Sequence, residues 1–306
     1  MKFNAVFCLI TLAVGLAAPR LCAAQAAPTP APAAADASAG AVPPGAPAPL
    51  IVDVWPDLAP GETTLSYGVA KVTNADRVSD IATPRLLIFA PPHAKRPEPA
   101  LLVFPGGGYA YDVVDKEGTE IARWLNAIGY IAAVLEYRGP HSAKPFQDAQ
   151  RAISVVRDHA ALLGIEPDHI GVIGFSAGGD LAARVATNYA ARSYDPVDAS
   201  DQASCRPDFA VLIYPAYLID KATGQPSADV VPHAGEPPFF LMQTRDDPYF
   251  DAGPYAKFLS AAGVDNTLLL YDTGHHGYGL HLPADNPAHE WSEHVAQWLH
   301  KVAPTR

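Results

Sequence analysis

Ser176 lies in Gly174-Phe175-Ser176-Ala177-Gly178-Gly179-Asp180, where an apolar run over residues 170–173 stops and a helix-compatible run over 181–189 begins. A Gly-x-Ser-x-Gly pentapeptide alone says little. Set between strand and helix patterns, it puts the serine in a strained turn with its hydroxyl exposed at the top of a sheet. The flanking glycines let strand and helix approach without side-chain collision. The helix N-terminus beneath favours developing negative charge. The chemistry implied is nucleophilic attack by the hydroxyl. It needs a neutral histidine to take the proton and an acid to orient the imidazole. Downstream, the chain offers Asp246-Asp247 and His275-His276, so the acid and the histidine both come in adjacent copies. Upstream, three glycines in Pro105-Gly106-Gly107-Gly108-Tyr109 can present backbone N–H groups where a side chain would obstruct them. An oxyanion hole would use the Ala177 N–H and one from Gly106 or Gly107.

These residues need a scaffold, and the hydrophobic pattern predicts one. Strands are expected near 64–72, 85–89, 101–104, 131–135, 170–173, 209–214, 239–242 and 267–271. Between them, Ile121, Trp124, Leu125 and Ile128 mark one face of a helix over 117–128. A second helix is expected from Pro145 to near Gly164, with Ala149, Ala152, Ile153, Val156 and Ala160 as its stripe. Further helices fall at 181–189, at 254–262, and from Pro287 onward, where Trp291, Val295, Trp298, Leu299 and Val302 share a face. The alternation predicts a mainly parallel, three-layer α/β domain over residues 50–306. Residues 192–207 read as a surface excursion or a wall of the site, and 216–235 as a cap or loop insertion. Asp148 and Arg151, three apart on a helix, read either as part of a network near Arg138 or as a solvated pair.

The ends of the 306-residue chain differ from its middle. Residues 1–26, with Lys2 ahead of an apolar run, read as a secretory signal too short for a convincing membrane span. Residues 27–49, almost entirely Ala, Pro and Gly, read as a linker. Cys8 and Cys22 fall in the signal, so processing would leave Cys205 without an intrachain disulfide partner, and its surroundings suggest a structural thiol. The net charge of -11, without a basic run, argues against nucleic acid as a partner and for a neutral substrate.

Over roughly residues 53–300 the chain resembles the α/β-hydrolase superfamily, specifically its secreted acetyl esterase/xylan esterase-like branch. The matching pieces are Pro105-Gly106-Gly107-Gly108-Tyr109, Gly174-Phe175-Ser176-Ala177-Gly178-Gly179, Asp246-Asp247-Pro248 and His275-His276-Gly277-Tyr278-Gly279-Leu280, with Asp53-Val54-Trp55-Pro56 and Glu117-Gly118 in support. The resemblance implies Ser176 as nucleophile, His276 as base and Asp247 as acid, in the chain order of that superfamily. It implies a serine ester hydrolase, secreted or periplasmic, acting on acetylated xylan, xylooligosaccharides or related carbohydrate. Small noncarbohydrate esters are the alternative. A peptidase-like hydrolase and a noncatalytic carbohydrate-binding protein are more distant rivals. Tyr109 and Tyr278 are candidates for a sugar-facing wall, against plain packing. No cofactor, stable membrane insertion or metal is expected, since His275, His276, His281 and Asp272 match no ligand spacing. Two departures bear on substrate fit: Pro105 stands where many members have histidine, and Pro248-Tyr249-Phe250 follows the acid instead of an aliphatic residue.

Overall fold

Runs that are apolar at every position can lie only where both faces of a sheet are covered. β7 (Ile131–Glu136) and β10 (Phe239–Thr244) carry such runs at 131–135 and 239–242 and are buried along their whole length. The computed structural model describes residues 48–71, 74–92 and 97–305, which fall in one unit, Gly40–Arg306. The expected signal segment, and the expected linker up to residue 47, lie outside the described residues.

Eight strands form the main sheet: β1 (Leu50–Asp53), β4 (Arg85–Phe89), β7, β5 (Glu98–Phe104), β8 (Ile165–Phe175), β9 (Ala210–Ile213), β10 and β11 (Asn266–Tyr271), in that spatial order. From β7 to β11 all neighbours are parallel, whereas β1 and β4 add an antiparallel edge. Successive side chains point to opposite faces. Leu102 therefore joins one core with α2 (Ala143–Asp158), α3 (Ala160–Leu163), α4 (Ala177–Thr187) and α5 (Ala252–Ala261). Leu101 and Val103 join the other with α1 (Glu120–Ala127) and α6 (Trp291–Val302). The result is the three-layer α/β architecture.

Several boundaries differ from the sequence reading for local reasons. α2 starts before Pro145 because the Ser142 side chain accepts from Lys144 N, and Pro145 sits in the first turn where its missing N–H costs nothing. Gly164, at φ 71°, closes α3. Pro287 opens a 3₁₀ turn, Pro287–Glu290, ahead of α6, and a π-helical turn, Asp115–Thr119, precedes α1. The expected strand at 64–72 is β2 (Tyr67–Lys71), which belongs to a small antiparallel sheet with β3 (Asn74–Ile81) and β6 (Asp112–Val113). β3 has no signal in its sequence, Asn-Ala-Asp-Arg-Val-Ser-Asp-Ile, because ladder hydrogen bonds rather than apolar alternation define it.

Asp148 and Arg151 do not pair with each other. Asp148, fully buried, accepts from Trp55 Nε1 at 2.8 Å, from the Arg138 backbone N–H at 3.0 Å and from Arg138 Nη2 at 2.7 Å. Burial pushes its carboxyl up, and the bonds from Arg138 and Trp55 push back. Arg151 instead pairs with Asp198 and Asp201 at 2.5 and 2.8 Å. The Asp148 cluster fastens the entry segment to α2. Asp148→Ala would take the nearest carboxylate from a fully buried guanidinium and leave it Glu62 at 3.3 Å, so unfolding stability in urea should drop by about 3 kcal/mol. A drop below about 1 kcal/mol would contradict this, and would mean that Glu62 or water compensates Arg138 as at a surface pair.

Candidate active site

Ser176 joins β8 to α4 at φ 52° and ψ −116°, a region that non-glycine residues occupy only when their surroundings impose it. A Cβ on Gly174 would lie 2.0 Å from the Gly178 carbonyl oxygen, and one on Gly178 2.0 Å from that of Phe104. Glycine at these two positions is thus what lets β8, α4 and β5 come together. The Ser176 carbonyl accepts from Gly179 N at 2.9 Å and from Ala216 N at 3.2 Å, which holds the strained turn from two sides.

The turns after β10 and β11 bring the other candidates to the same edge. His276 Nε2 lies 2.7 Å from Ser176 Oγ, and His276 Nδ1 lies 2.8 Å from Asp247 Oδ2. An ionised carboxylate only accepts, so Nδ1 carries the proton and Nε2 is left to accept from the serine. Asp247 is buried, and its second oxygen accepts from Tyr249 N at 2.8 Å. The neighbouring copies go elsewhere. Asp246 accepts from the backbone N–H groups of Gly274 and His275, and the His275 side chain is 83% exposed. Tyr249 packs its ring 4.7 Å from that of His276, giving the departure after the acid a place at the site.

The glycine loop divides its donors. The Gly106 N–H donates to Glu117 Oε2 at 2.9 Å, which leaves Gly107 as the one of the two expected candidates whose N–H is not taken by that bond. The N–H groups of Gly107 and Ala177 have no acceptor among the described residues. Glu117 is itself a residue that the sequence reading passed over as a supporting match. Its other oxygen accepts from Tyr214 Oη at 2.9 Å, and Tyr214 Oη accepts from Gly279 N at 3.0 Å. Tyr214 also stands edge-on to His276. One buried carboxyl therefore ties the glycine loop to the histidine loop. Burial pushes its pKa up, against the bonds from Tyr214 and Gly106 and the charge of Lys116. Nothing local marks an acid in Asp-Lys-Glu-Gly as buried; only the tertiary contacts do.

The two candidate substrate residues part company. Tyr109, at φ 62°, donates to Asp180 Oδ2 at 2.5 Å and borders a cavity shared with His141 and Tyr217. Tyr278 must be corrected: it is buried in the α1/α6-side core, its hydroxyl 3.1 Å from Met242 Sδ and its ring against Tyr214, so it packs rather than lines a wall. Cys205 is a buried free thiol whose Sγ donates to the Tyr189 carbonyl. Among the described residues, no helix is long and apolar enough to cross a membrane.

A largely parallel sheet between two helical layers, with a strained serine turn at the strand ends, is the α/β-hydrolase architecture, and the chain belongs to that superfamily. The comparisons narrow the kinship to acetyl- and xylan-esterase-like enzymes. The BD-FAE family model matches residues 86–220. An acetylxylan esterase of Xylanibacter ruminicola is 30% identical over 209 residues, which are 59% of this chain and 41% of that protein. The chain thus spans about two fifths of the length of that curated relative. Carboxylesterase NlhH of Mycobacterium tuberculosis is 27% identical, over 74% of this chain and 77% of its own. The solved acetyl ester-xyloside bifunctional hydrolase of Caldicellulosiruptor lactoaceticus superposes with a TM-score of 0.69 at 28% identity, covering 86% of this chain and 100% of that one.

The raised pKa of Glu117 has a consequence for stability. Its folded-state value exceeds the unfolded one near 4.5, so the folded protein keeps the proton to higher pH. The associated stability is fully present below the unfolded value and is lost as pH rises through the folded one. Glu117→Gln removes that loss. Denaturant unfolding across this range should show the wild type losing stability relative to the variant as pH rises, whereas a pH-independent difference would contradict the assignment.

Proposed function

We propose that this protein is a serine carboxylic ester hydrolase that removes acetyl groups from xylan, xylooligosaccharides or related acetylated carbohydrate. The observation that carries the reading is the hydrogen-bonded chain Ser176–His276–Asp247 beside the free N–H groups of Gly107 and Ala177. In this reading Ser176 Oγ attacks the ester carbonyl carbon while its proton passes to His276 Nε2. The carbonyl oxygen becomes an oxyanion facing the Gly107 and Ala177 N–H groups, which bind it more strongly than the ground-state carbonyl. Collapse breaks the bond to the alcohol, which leaves with the proton from His276. Water then attacks the acyl-serine, with His276 again as base, releasing acetate. Asp247 remains ionised throughout, holding Nδ1–H and stabilising the imidazolium.

The acetyl and xylan assignment draws on the named activities of the Xylanibacter and Caldicellulosiruptor relatives. The match to carboxylesterase NlhH over three quarters of the chain favours a second reading, small noncarbohydrate esters. Export to the periplasm or medium belongs to the proposal on the strength of residues 1–26 alone.

Acetate release from acetylated xylan, acetylated xylooligosaccharides and a nonsugar acetyl ester tests the reading. Ser176→Ala should lower kcat by about 10⁴-fold or more on every substrate, and adding His276→Ala should cost little further because the three residues act as a unit. Full activity in Ser176→Ala would sink the serine mechanism. Release from the simple ester alone would favour the second reading.

A further inference from the structure

Beside the serine turn lies a cavity of about 300 Å³, bordered by Gly108, Tyr109, His141, Tyr217, Ser227 and Asp229. It adjoins the reacting groups by short links. Gly108 follows the proposed oxyanion donor Gly107, and Tyr217 follows Ala216, whose N–H bonds the Ser176 carbonyl. The Tyr217 ring meets that of Tyr249, which packs on His276.

Two bulky residues on its border are held where such residues rarely sit. Tyr109 has φ 62° and Tyr217 φ 65°, and their rings lie near parallel at 26°, with centroids 6.3 Å apart. Such strain persists only where the surroundings over-determine it. Here Ser227 Oγ donates to the Tyr217 carbonyl at 2.6 Å, and the buried Asp251 carboxylate takes Leu218 N at 3.0 Å and pairs with Lys221. The polar end is acidic. Asp229 carries one bond from Arg184 Nε at 3.0 Å, and His141 Nε2 stands 3.5 Å from Asp180 and 3.8 Å from Asp229.

We propose that this cavity is the subsite for the alcohol part of the ester, and that it takes a neutral polyhydroxylated ring, a pyranose, with one face against Tyr217 and hydroxyls toward Asp229 and His141. The proposal rests on the ester-hydrolase reading. An acetyl methyl gains nothing from a carboxylate and an imidazole, whereas vicinal hydroxyls use both. Aromatic faces suit the C–H face of a sugar ring, and Asp180 and Asp229 together outnumber the single Arg184 cation beside them, which disfavours an anionic occupant. Ligand-sized cavities with a few convergent polar groups select by leaving those groups unpaired when the wrong ligand binds. A divalent cation held by His141, Asp180 and Asp229 is the competing occupant. It is disfavoured because Arg184 already neutralises Asp229 and the Tyr109 hydroxyl already holds Asp180.

The test uses the whole protein with nitrophenyl acetate as reporter and xylobiose as ligand. Xylobiose should inhibit competitively, glucuronate should not, and both Asp229→Asn and Tyr217→Ala should weaken the inhibition. Each variant should lose about tenfold more kcat/KM on acetylated xylobiose than on nitrophenyl acetate, through KM. Hydrolysis of nitrophenyl acetate without any xylobiose inhibition in the wild type would overturn the subsite alone. So would equal losses on both esters, or stoichiometric zinc that His141→Ala abolishes. No nitrophenyl acetate hydrolysis by the wild type would sink the reading beneath it.

Discussion

The close approach of three backbones at Ser176 is the constraint on which the rest of the site depends. With glycine at 174 and 178, α4 can press against the ends of β8 and β5 until carbonyl oxygens stand where a Cβ would be. That packing holds Ser176 in a backbone region it would leave if free to do so. The strain is offset by the surrounding sheet, buried from Ile170 to Phe175, and by the bonds from Gly179 and Ala216. A rigid turn gives the histidine and the glycine loop a fixed point to meet.

Around that point, buried carboxylates join segments that the chain order keeps apart. Asp148 links the entry segment, Arg138 and α2; Glu117 links the glycine loop to the histidine loop through Tyr214; Asp251 braces the loop that carries Tyr217. Removing a carboxylate from water is costly, and each of these is tolerated because several donors converge on it. An apolar contact would not specify which backbone N–H must face which oxygen. The carboxylates do.

The scaffold and its loops carry different information. The superposition on the Caldicellulosiruptor hydrolase spans that whole chain, which reflects sheet order and layer packing. Loops on such a scaffold carry selectivity, and the proposed subsite falls largely on them, at the strained pair Tyr109 and Tyr217 and the cluster of His141, Asp180 and Asp229.

The alternation of apolar runs and helical stripes was enough to read the sheet and the layers from sequence, because burial on both faces demands continuous apolar strands. The Gly-x-Ser-x-Gly stretch likewise marked its turn locally, since only small residues permit it. The polar strand β3 and the edge strand β1 were not legible, because pairing rather than burial makes them. Residue chemistry alone left the acid and the histidine open, as both neighbours match, and only the family resemblance pointed to Asp247 and His276. In the fold Asp247 meets His276 and His276 meets Ser176, while Asp246 caps the loop and His275 faces solvent. Glu117 withdrew Gly106 as a donor, and core packing claimed Tyr278. Those outcomes depend on which segments meet in space, and residue type alone does not carry that.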